Sequence, residues 1–295
     1  MFRGVHTAII TPFRQGELDL EGFEHLVRRQ VEAGVDGIVP CGTTGESATL
    51  SDDEILTLID CAVRTVAGRC AVIAGVGTND TARTIRLARG ARERGADGSL
   101  VITPYYNRPG QAGLYAHCHA VADAVPDLPV ILYNVPKRTG VSFTIDTIAR
   151  LAEHPNIVGI KDATANMAFA AQIVGRSSAD FALLSGDDIT ALPQWSVGAQ
   201  GIVSVTSNLV PEDMVALWRA FDEGRLPEAQ RLHHRLLPLF DGLFLETNPV
   251  PIKHLVAWTT GDCSAEVRLP LTPLTAESAD ALRRMCAMLE IEPAP

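Results

Sequence analysis

The sequence predicts a (β/α)8 (TIM) barrel followed by a C-terminal helical domain. Eight short apolar runs recur along the chain, amphipathic helical patterns lie between them, and beyond about residue 211 only helical patterns remain. Strands that alternate with helices form parallel sheets, and eight such units are the number that closes a barrel. The competing architecture is an open doubly wound sheet. It is disfavoured because GVGTND (75–80) lacks the glycine spacing of a dinucleotide-binding turn.

The eight apolar runs are the predicted barrel strands. In order they read HTAIITP (6–12), DGIVPCG (36–42), CAVIAGVG (70–77), GSLVITP (98–104), PVILYNV (129–135), IVGIKDA (157–163), FALLSGDD (181–188) and GIVSV (201–205). Helical spacing of apolar residues marks the stretches between them, such as 21–34, 52–68 and 80–95. Ser51 and Glu54 have the spacing of a capping box, which predicts a helix start at that point.

The helical signals after residue 211 are too many for the eighth crossover helix alone. They include EDMVALWRAFDEG, PEAQRLHHRLLPLFDGLFLE and TAESADALRRMCAMLE. We therefore expect a barrel over residues 1–224 and a helical domain over residues 225–295.

Composition excludes several classes of function. The 295 residues carry a net charge of −10, and no basic cluster offers a face for nucleic acid or an anionic membrane. No apolar stretch approaches the roughly 18 residues that span a bilayer. The six cysteines form no C-x-x-C pair, which favours reduced thiols. We expect a cytoplasmic protein without nucleic-acid or membrane partners.

Polar residues follow the predicted strands, at the end where TIM barrels place their active sites. The strand ends read CGTTGES (41–47), TPYYN (103–107), YNVPKRTG (133–140), KDAT (161–164), SGDD (185–188) and SVTSN (204–208). They lack a cluster of histidine and carboxylate ligands, so metal-assisted hydrolysis is disfavoured. The neighbouring histidines of GLYAHCHAVADAV (113–125) lie in a helical pattern and would point apart.

Strand alternation predicts that Lys161 and Tyr133 meet at the barrel mouth. Lys161 shares a strand face with Gly159, and Tyr133 ends the preceding strand. A lysine in a partly desolvated pocket is a nucleophilic amine that condenses with a keto acid to give an imine, and a tyrosine hydroxyl can transfer the protons. The alternative interpretation is a lysine that reaches solvent or pairs with Asp162.

Several motifs in register resemble the 4-hydroxy-tetrahydrodipicolinate synthase (dihydrodipicolinate synthase) family. They are TTGES (43–47), TPYYNRP (103–109), ILYNVPKRTG (131–140), GIKDAT (159–164), LLSGDD (183–188) and SVTSN (204–208). The resemblance runs almost end to end and implies a class I Schiff-base lyase. Such an enzyme condenses pyruvate with L-aspartate-4-semialdehyde in the first committed step of diaminopimelate and lysine biosynthesis.

The resemblance also implies catalytic roles. Lys161 would form the Schiff base with pyruvate, without any other cofactor. Tyr133 would be the central acid and base. Thr43 would link Tyr133 to Tyr106 in a proton relay, with the tyrosine at position 106 supplied by a neighbouring subunit. The family resemblance therefore implies a homotetramer, a dimer of dimers.

Four further residues would bind the substrates. Thr44 and the main chain of Val203 would hold pyruvate, and Arg138 would receive the carboxylate of the aldehyde substrate, which suits a guanidinium. Gly186 would shape the aldehyde side. Two alternatives stay open: a related aldolase or lyase that acts on a keto-deoxy sugar acid or N-acetylneuraminate, and a barrel that binds a metabolite without turnover.

Many family members are inhibited by lysine at a pocket in the dimer interface, and this chain departs from their pattern. The matching positions are Ser47, Ala48, Asp52, Ile55, Asn79, Arg83 and Tyr105. Ile55 replaces a histidine or an aromatic residue, and Arg83 replaces an acid that would pair with the ligand ammonium. A cation there repels lysine, so we expect weak or absent feedback inhibition.

Overall fold

The computed structural model describes residues 2–294 and shows a closed barrel of eight parallel strands, which confirms the predicted fold. Each strand pairs with its neighbours in chain order, and the first strand closes the barrel against the last. We number the barrel strands β1 (Gly4–Ala8), β2 (Gly37–Val39), β3 (Ala71–Gly75), β4 (Gly98–Ile102), β5 (Val130–Asn134), β6 (Ile157–Asp162), β7 (Ala182–Ser185) and β8 (Gly201–Ser204). A small hairpin, Phe13–Arg14 with Glu17–Leu18, follows β1.

Helices surround the barrel and continue beyond it. They are α1 (Leu20–Glu32), α2 (Asp52–Val66), α3 (Thr81–Glu93), α4 (Gln111–Ala124), α5 (Pro136–Thr139), α6 (Ile145–Leu151), α7 (Met167–Arg176), α8 (Ala191–Ser196), α9 (Pro211–Asp222), α10 (Leu226–Gly242), α11 (Val250–Thr260) and α12 (Ala276–Met288). Short 3-10 turns lie at Ser47–Thr49 and Thr206–Asn208. The capping box of Ser51 and Glu54 forms at the start of α2, as the sequence predicts.

Two apolar layers hold the barrel together. The larger layer lies between the strands and the helices, where Trp195 packs edge-to-face on Trp218 with ring centroids 5.0 Å apart. The smaller layer fills the barrel interior and includes Ile73, Leu184 and Val203. Alternating side chains of each strand feed the two layers in turn, so every barrel strand is buried on both faces.

The last three helices, α10 to α12, make up the region that the sequence assigns to a C-terminal domain. Helix α9 ends at Asp222 and α10 begins at Leu226, so the predicted boundary at 224 falls in the turn between them. The division at that position stays a prediction. Among the described residues, no helix has the length and apolar character needed to cross a membrane.

A histidine occupies the lower part of the barrel interior. His6 is 1% exposed, and a side chain at Gly37 would put its Cβ 2.3 Å from His6 Nδ1. Neither ring nitrogen has a hydrogen-bond partner among the residues that the structure describes. Burial lowers the pKa of His6 to about 4, so the ring is neutral at pH 7.

His6 should therefore make the protein less stable in mild acid. The unfolded chain binds a proton near pH 6.5 and the folded chain near pH 4, so the stability contribution is complete above pH 6.5 and is lost between these values. The loss amounts to about 3 kcal/mol at 1.36 kcal/mol per pKa unit. We expect a His6→Leu variant to gain thermal midpoint relative to wild type as the pH falls from 7 to 4.5. Parallel pH profiles would contradict this assignment.

Candidate active site

Lys161 and Tyr133 lie side by side at the mouth of the barrel. They are direct register partners on β6 and β5, and each is 6% exposed. The Lys161 Nζ atom lies 4.3 Å from the centroid of the Tyr133 ring. Asp162 does not pair with the lysine, because its carboxylate accepts hydrogen bonds from Asn134 Nδ2 at 3.0 Å and Thr164 Oγ1 at 2.6 Å. The amine therefore lies near a hydroxyl-bearing ring, and the carboxylate next to it in sequence is engaged by other groups.

A cavity of about 750 Å³ opens above this pair. It gathers six of the sequence-predicted residues, since its lining includes Thr43, Thr44, Tyr133, Arg138, Lys161 and Gly186. Tyr133 and Lys161 lie near the C-terminal ends of strands β5 and β6, and the segments after β2, β5 and β7 supply the other four, which is the arrangement of strand-end active sites in TIM barrels. The cavity is large enough for two small substrates at once.

Gly186 leaves space for the side chain of Lys161. A Cβ atom at this position would lie 3.0 Å from Lys161 Cε and 2.8 Å from Ala163 Cβ. Both distances are shorter than ordinary van der Waals contacts. A larger residue would therefore push the lysine chain away from its position beside Tyr133.

Two predicted residues stand apart from the cavity. Tyr106 is 90% exposed on the loop after β4, with a left-handed backbone (φ 70°). Val203 packs in the barrel interior below the cavity, and Val205 lines the cavity instead. The chain by itself thus brings Thr43 to the site and leaves Tyr106 in solvent.

The C-terminal region supplies an outer wall that the sequence argument missed. The wall consists of Phe240, Asp241, Phe244, Leu245, Glu246, Thr247 and Asn248. Asn248 connects this wall to the barrel through two hydrogen bonds. Its Nδ2 donates to Thr44 Oγ1 at 3.0 Å, and its main-chain oxygen accepts from Arg138 Nη2 at 3.1 Å. The Asn-Pro dipeptide at 248–249 was the available sequence signal, since it marks a tight connection before a helix.

A buried ion pair lies behind the threonine loop. Lys253 Nζ and Glu46 Oε1 are 2.6 Å apart, with side chains 0% and 1% exposed. The second oxygen of Glu46 accepts from the Arg268 main-chain N–H at 3.1 Å, and Lys253 Nζ lies 4.3 Å from the Phe13 ring centroid. Burial lowers the pKa of Lys253, and the Glu46 carboxylate opposes that shift.

A buried carboxylate joins the ends of β7 and β8. Asp188 accepts hydrogen bonds from Ser204 Oγ at 2.5 Å and from the Val205 main-chain N–H at 3.0 Å. Burial raises the pKa of Asp188, and these hydrogen bonds counteract the shift. The GDD sequence at 186–188 is thus a structural turn at the edge of the cavity.

The positions that match the lysine pocket divide between two places. Ser47, Ala48 and Tyr105 line a second cavity of about 290 Å³ that shares Thr43 and Arg138 with the first, so the two are neighbours. Arg83, on α3, pairs with Asp52 at 2.7 Å. This pair modifies the sequence argument: Asp52 neutralises Arg83, and it is thereby unavailable to a ligand ammonium.

The histidines of α4 do point apart, as predicted. His117 Nδ1 bonds Thr81 Oγ1 at 2.9 Å, whereas His119 Nδ1 bonds Asp123 Oδ2 at 3.0 Å. His154 joins the latter pair through Nε2, 3.1 Å from Asp123 Oδ1. Because His154 Nδ1 accepts the Asn156 N–H, its Nε2 carries the proton and donates to the carboxylate. This cluster forms a hydrogen-bonded chain on the outer surface.

Comparisons with known proteins show the family of this chain. Residues 1–288 match the dihydrodipicolinate synthetase family. The chain belongs to this family. A 4-hydroxy-tetrahydrodipicolinate synthase from Nitratidesulfovibrio vulgaris (strain DP4) is 50% identical over 287 residues, 97% of this chain and 98% of the relative.

Solved structures of the family superpose over nearly the whole chain. Dihydrodipicolinate synthase from Aquifex aeolicus has a TM-score of 0.97 at 44% identity and covers 100% of both chains. The enzyme from Acinetobacter baumannii, solved in complex with pyruvate, has a TM-score of 0.96 at 41% identity and covers 99% of this chain and 100% of that one. The family and fold predicted from the sequence motifs are confirmed.

The Gly186 contact gives a direct test of the site geometry. We expect Gly186→Ala to fold and to lose about tenfold or more of kcat/KM for pyruvate, because overpacking of about 1–3 kcal/mol falls on the lysine chain. Gly175→Ala is the matched control, since a Cβ atom at Gly175 on α7 meets open space. Steady-state kinetics of both variants measures the loss of activity, and circular dichroism checks that both variants are folded. Full activity of Gly186→Ala would show that Lys161 does not need this space.

Proposed function

We propose that this chain condenses pyruvate with L-aspartate-4-semialdehyde through a Schiff base on Lys161 to give 4-hydroxy-tetrahydrodipicolinate. The observation that carries the proposal is the buried Lys161 beside Tyr133 in a cavity that also contains Thr44 and Arg138. Family membership and relatives of that name support it. The reaction needs no further cofactor, because the imine withdraws electrons from the adjacent methyl group and so permits its deprotonation to the enamine, which donates the electron pair of the new carbon–carbon bond.

The first half-reaction uses the inner part of the cavity. The Lys161 amine adds to the keto carbon of pyruvate, and loss of water gives the imine. Removal of a methyl proton then gives an enamine. Tyr133 transfers these protons, and Thr43 passes them toward Tyr106. Thr44, which lines this part of the cavity, holds the pyruvate carboxylate.

The second half-reaction uses the outer part of the cavity. The enamine carbon attacks the aldehyde and forms the new carbon–carbon bond, with Gly186 leaving room beside the lysine. Arg138 binds the carboxylate of the aldehyde substrate. The amino group of that substrate then replaces the lysine at the imine carbon, which closes the ring and frees Lys161. The comparisons lend no support to a sugar-acid substrate.

Assembly and location complete the proposal. The working unit is a homotetramer, a dimer of dimers, in the cytoplasm. The supporting observation is Tyr106, which is 90% exposed and outside the cavity of its own chain, so that its role in the relay requires the site of a neighbouring copy. Small molecules, and not nucleic acid or membranes, are its partners.

Borohydride trapping tests the Schiff base sharply, because the sequence has three lysines: Lys137, Lys161 and Lys253. Lys137 is exposed, and Lys253 is paired with Glu46. We expect pyruvate and borohydride to give a stable adduct on Lys161, located by peptide mass spectrometry. Lys161→Ala should fold, form no adduct and lose nearly all turnover, whereas Lys137→Ala should keep the adduct. An intact protein without any adduct would indicate a barrel that binds metabolites without turnover.

Feedback inhibition by lysine should be weak or absent. Arg83 stands at the position of the acid that binds the ligand ammonium in inhibited members, and Asp52 is paired with it. The charge-assisted contact that is lost is worth about 1.5–3 kcal/mol. A coupled assay with added L-lysine measures the effect. Arg83→Glu should increase the sensitivity, because it restores an acid at this position. Half-inhibition of the wild type well below millimolar lysine would overturn this prediction.

A further inference from the structure

Asn248 contacts both residues that receive the substrate carboxylates in the proposed function. Its side chain bonds Thr44, and its main chain bonds Arg138. We propose that Asn248 is a positioning residue: its amide turns the Thr44 hydroxyl toward the keto-acid carboxylate, and its carbonyl fixes Arg138 at the second carboxylate. This inference rests on the proposed function and adds a residue to it.

The direction of the Asn248–Thr44 bond sets the direction of the hydroxyl proton. Asn248 Nδ2 donates to Thr44 Oγ1 at 3.0 Å, and both residues are buried, at 5% and 3% exposure. A hydroxyl has one proton to give and lone pairs to accept with. Since a lone pair of Thr44 is engaged by the amide, its proton points elsewhere, and the cavity that Thr44 lines is where a carboxylate would accept it.

The main chain of Asn248 serves the other carboxylate site. Arg138 is exposed on the short helix α5, and its Nη2 donates to the Asn248 carbonyl at 3.1 Å. This bond restricts a long side chain that would otherwise sample many rotamers. The side chain and the main chain of Asn248 thus act on different substrates, so substitution of the side chain separates the two effects.

The segment around Asn248 is anchored independently of the amide. Thr247 and Pro249 carbonyls accept the main-chain N–H groups of Val250 and Lys253 at 3.0 and 2.9 Å. Lys253 is then fixed by Glu46. The Asn248 Oδ1 atom is buried and has no partner among residues 2–294 of the structure. Truncation of the side chain therefore removes one hydrogen bond and leaves the segment in place.

Pyruvate-dependent trapping in the absence of the aldehyde isolates the first site. We expect Asn248→Ala to raise the half-saturating pyruvate concentration about three- to tenfold, the effect of one lost hydrogen bond. The KM for the aldehyde should stay within about twofold, because the Arg138 bond uses the main chain. Asn248→Asp should raise the half-saturating pyruvate concentration further, because a carboxylate at this position accepts the Thr44 hydroxyl proton and repels the carboxylate of the keto acid.

Asn166→Ala is the matched control. Asn166 caps α7 outside the cavity, where its Oδ1 accepts one hydrogen bond from the Phe169 main-chain N–H. It should leave both constants unchanged. An unchanged pyruvate dependence in Asn248→Ala, or an equal rise for both substrates, would overturn the positioning role. An unchanged half-saturating pyruvate concentration in Asn248→Asp would show that the Thr44 hydroxyl donates its proton to residue 248. That result would also overturn the positioning role. Absence of any adduct in the wild type would instead refute the proposed function, and this inference with it.

Discussion

The buried pair of Lys253 and Glu46 is the contact on which the site depends. Two charges withdrawn from water are costly, and they persist because they lie 2.6 Å apart with a further N–H on the carboxylate. Glu46 belongs to the loop that carries Thr43 and Thr44, and it has a left-handed backbone (φ 54°). Removal of either charge would leave the other unpaired in the interior, at a cost of about 3–5 kcal/mol. The pair therefore fixes the threonine loop to the C-terminal helices.

The cavity reconciles an acidic protein with anionic substrates. The net charge of −10 gives no long-range attraction for a keto acid, so recognition falls to local groups. Lys137, Arg138 and Lys161 supply the cations on the barrel side. The C-terminal wall and the β7 loop contribute Asp187, Asp241 and Glu246 to the same cavity. The cavity therefore carries charged groups of both signs, which suits an amino-acid aldehyde that also carries both a positive and a negative charge.

The sequence predicted the parts of the molecule that obey local rules. Strand period and position place Lys161 beside Tyr133, and the register of β5 and β6 has them as partners. Capping chemistry likewise predicts the start of α2. Contacts between distant segments could not be predicted from the sequence, because no period or spacing links Asn248 to Thr44 or Lys253 to Glu46. The ion pair of Arg83 with Asp52 was not predicted for the same reason, since the two residues lie on different helices.

The origin of the cavity wall has a consequence for synthesis on the ribosome. The chain emerges from its N-terminus, and the eighth strand is complete at Ser204. All eight barrel strands, and Lys161 with them, therefore precede the cation that pairs with Glu46. The site becomes whole when Asn248 and Lys253 emerge and dock. Residues that follow the last strand in the chain thus complete a pocket whose catalytic-side residues all precede them, because Glu46 and Thr44 find their partners in Lys253 and Asn248.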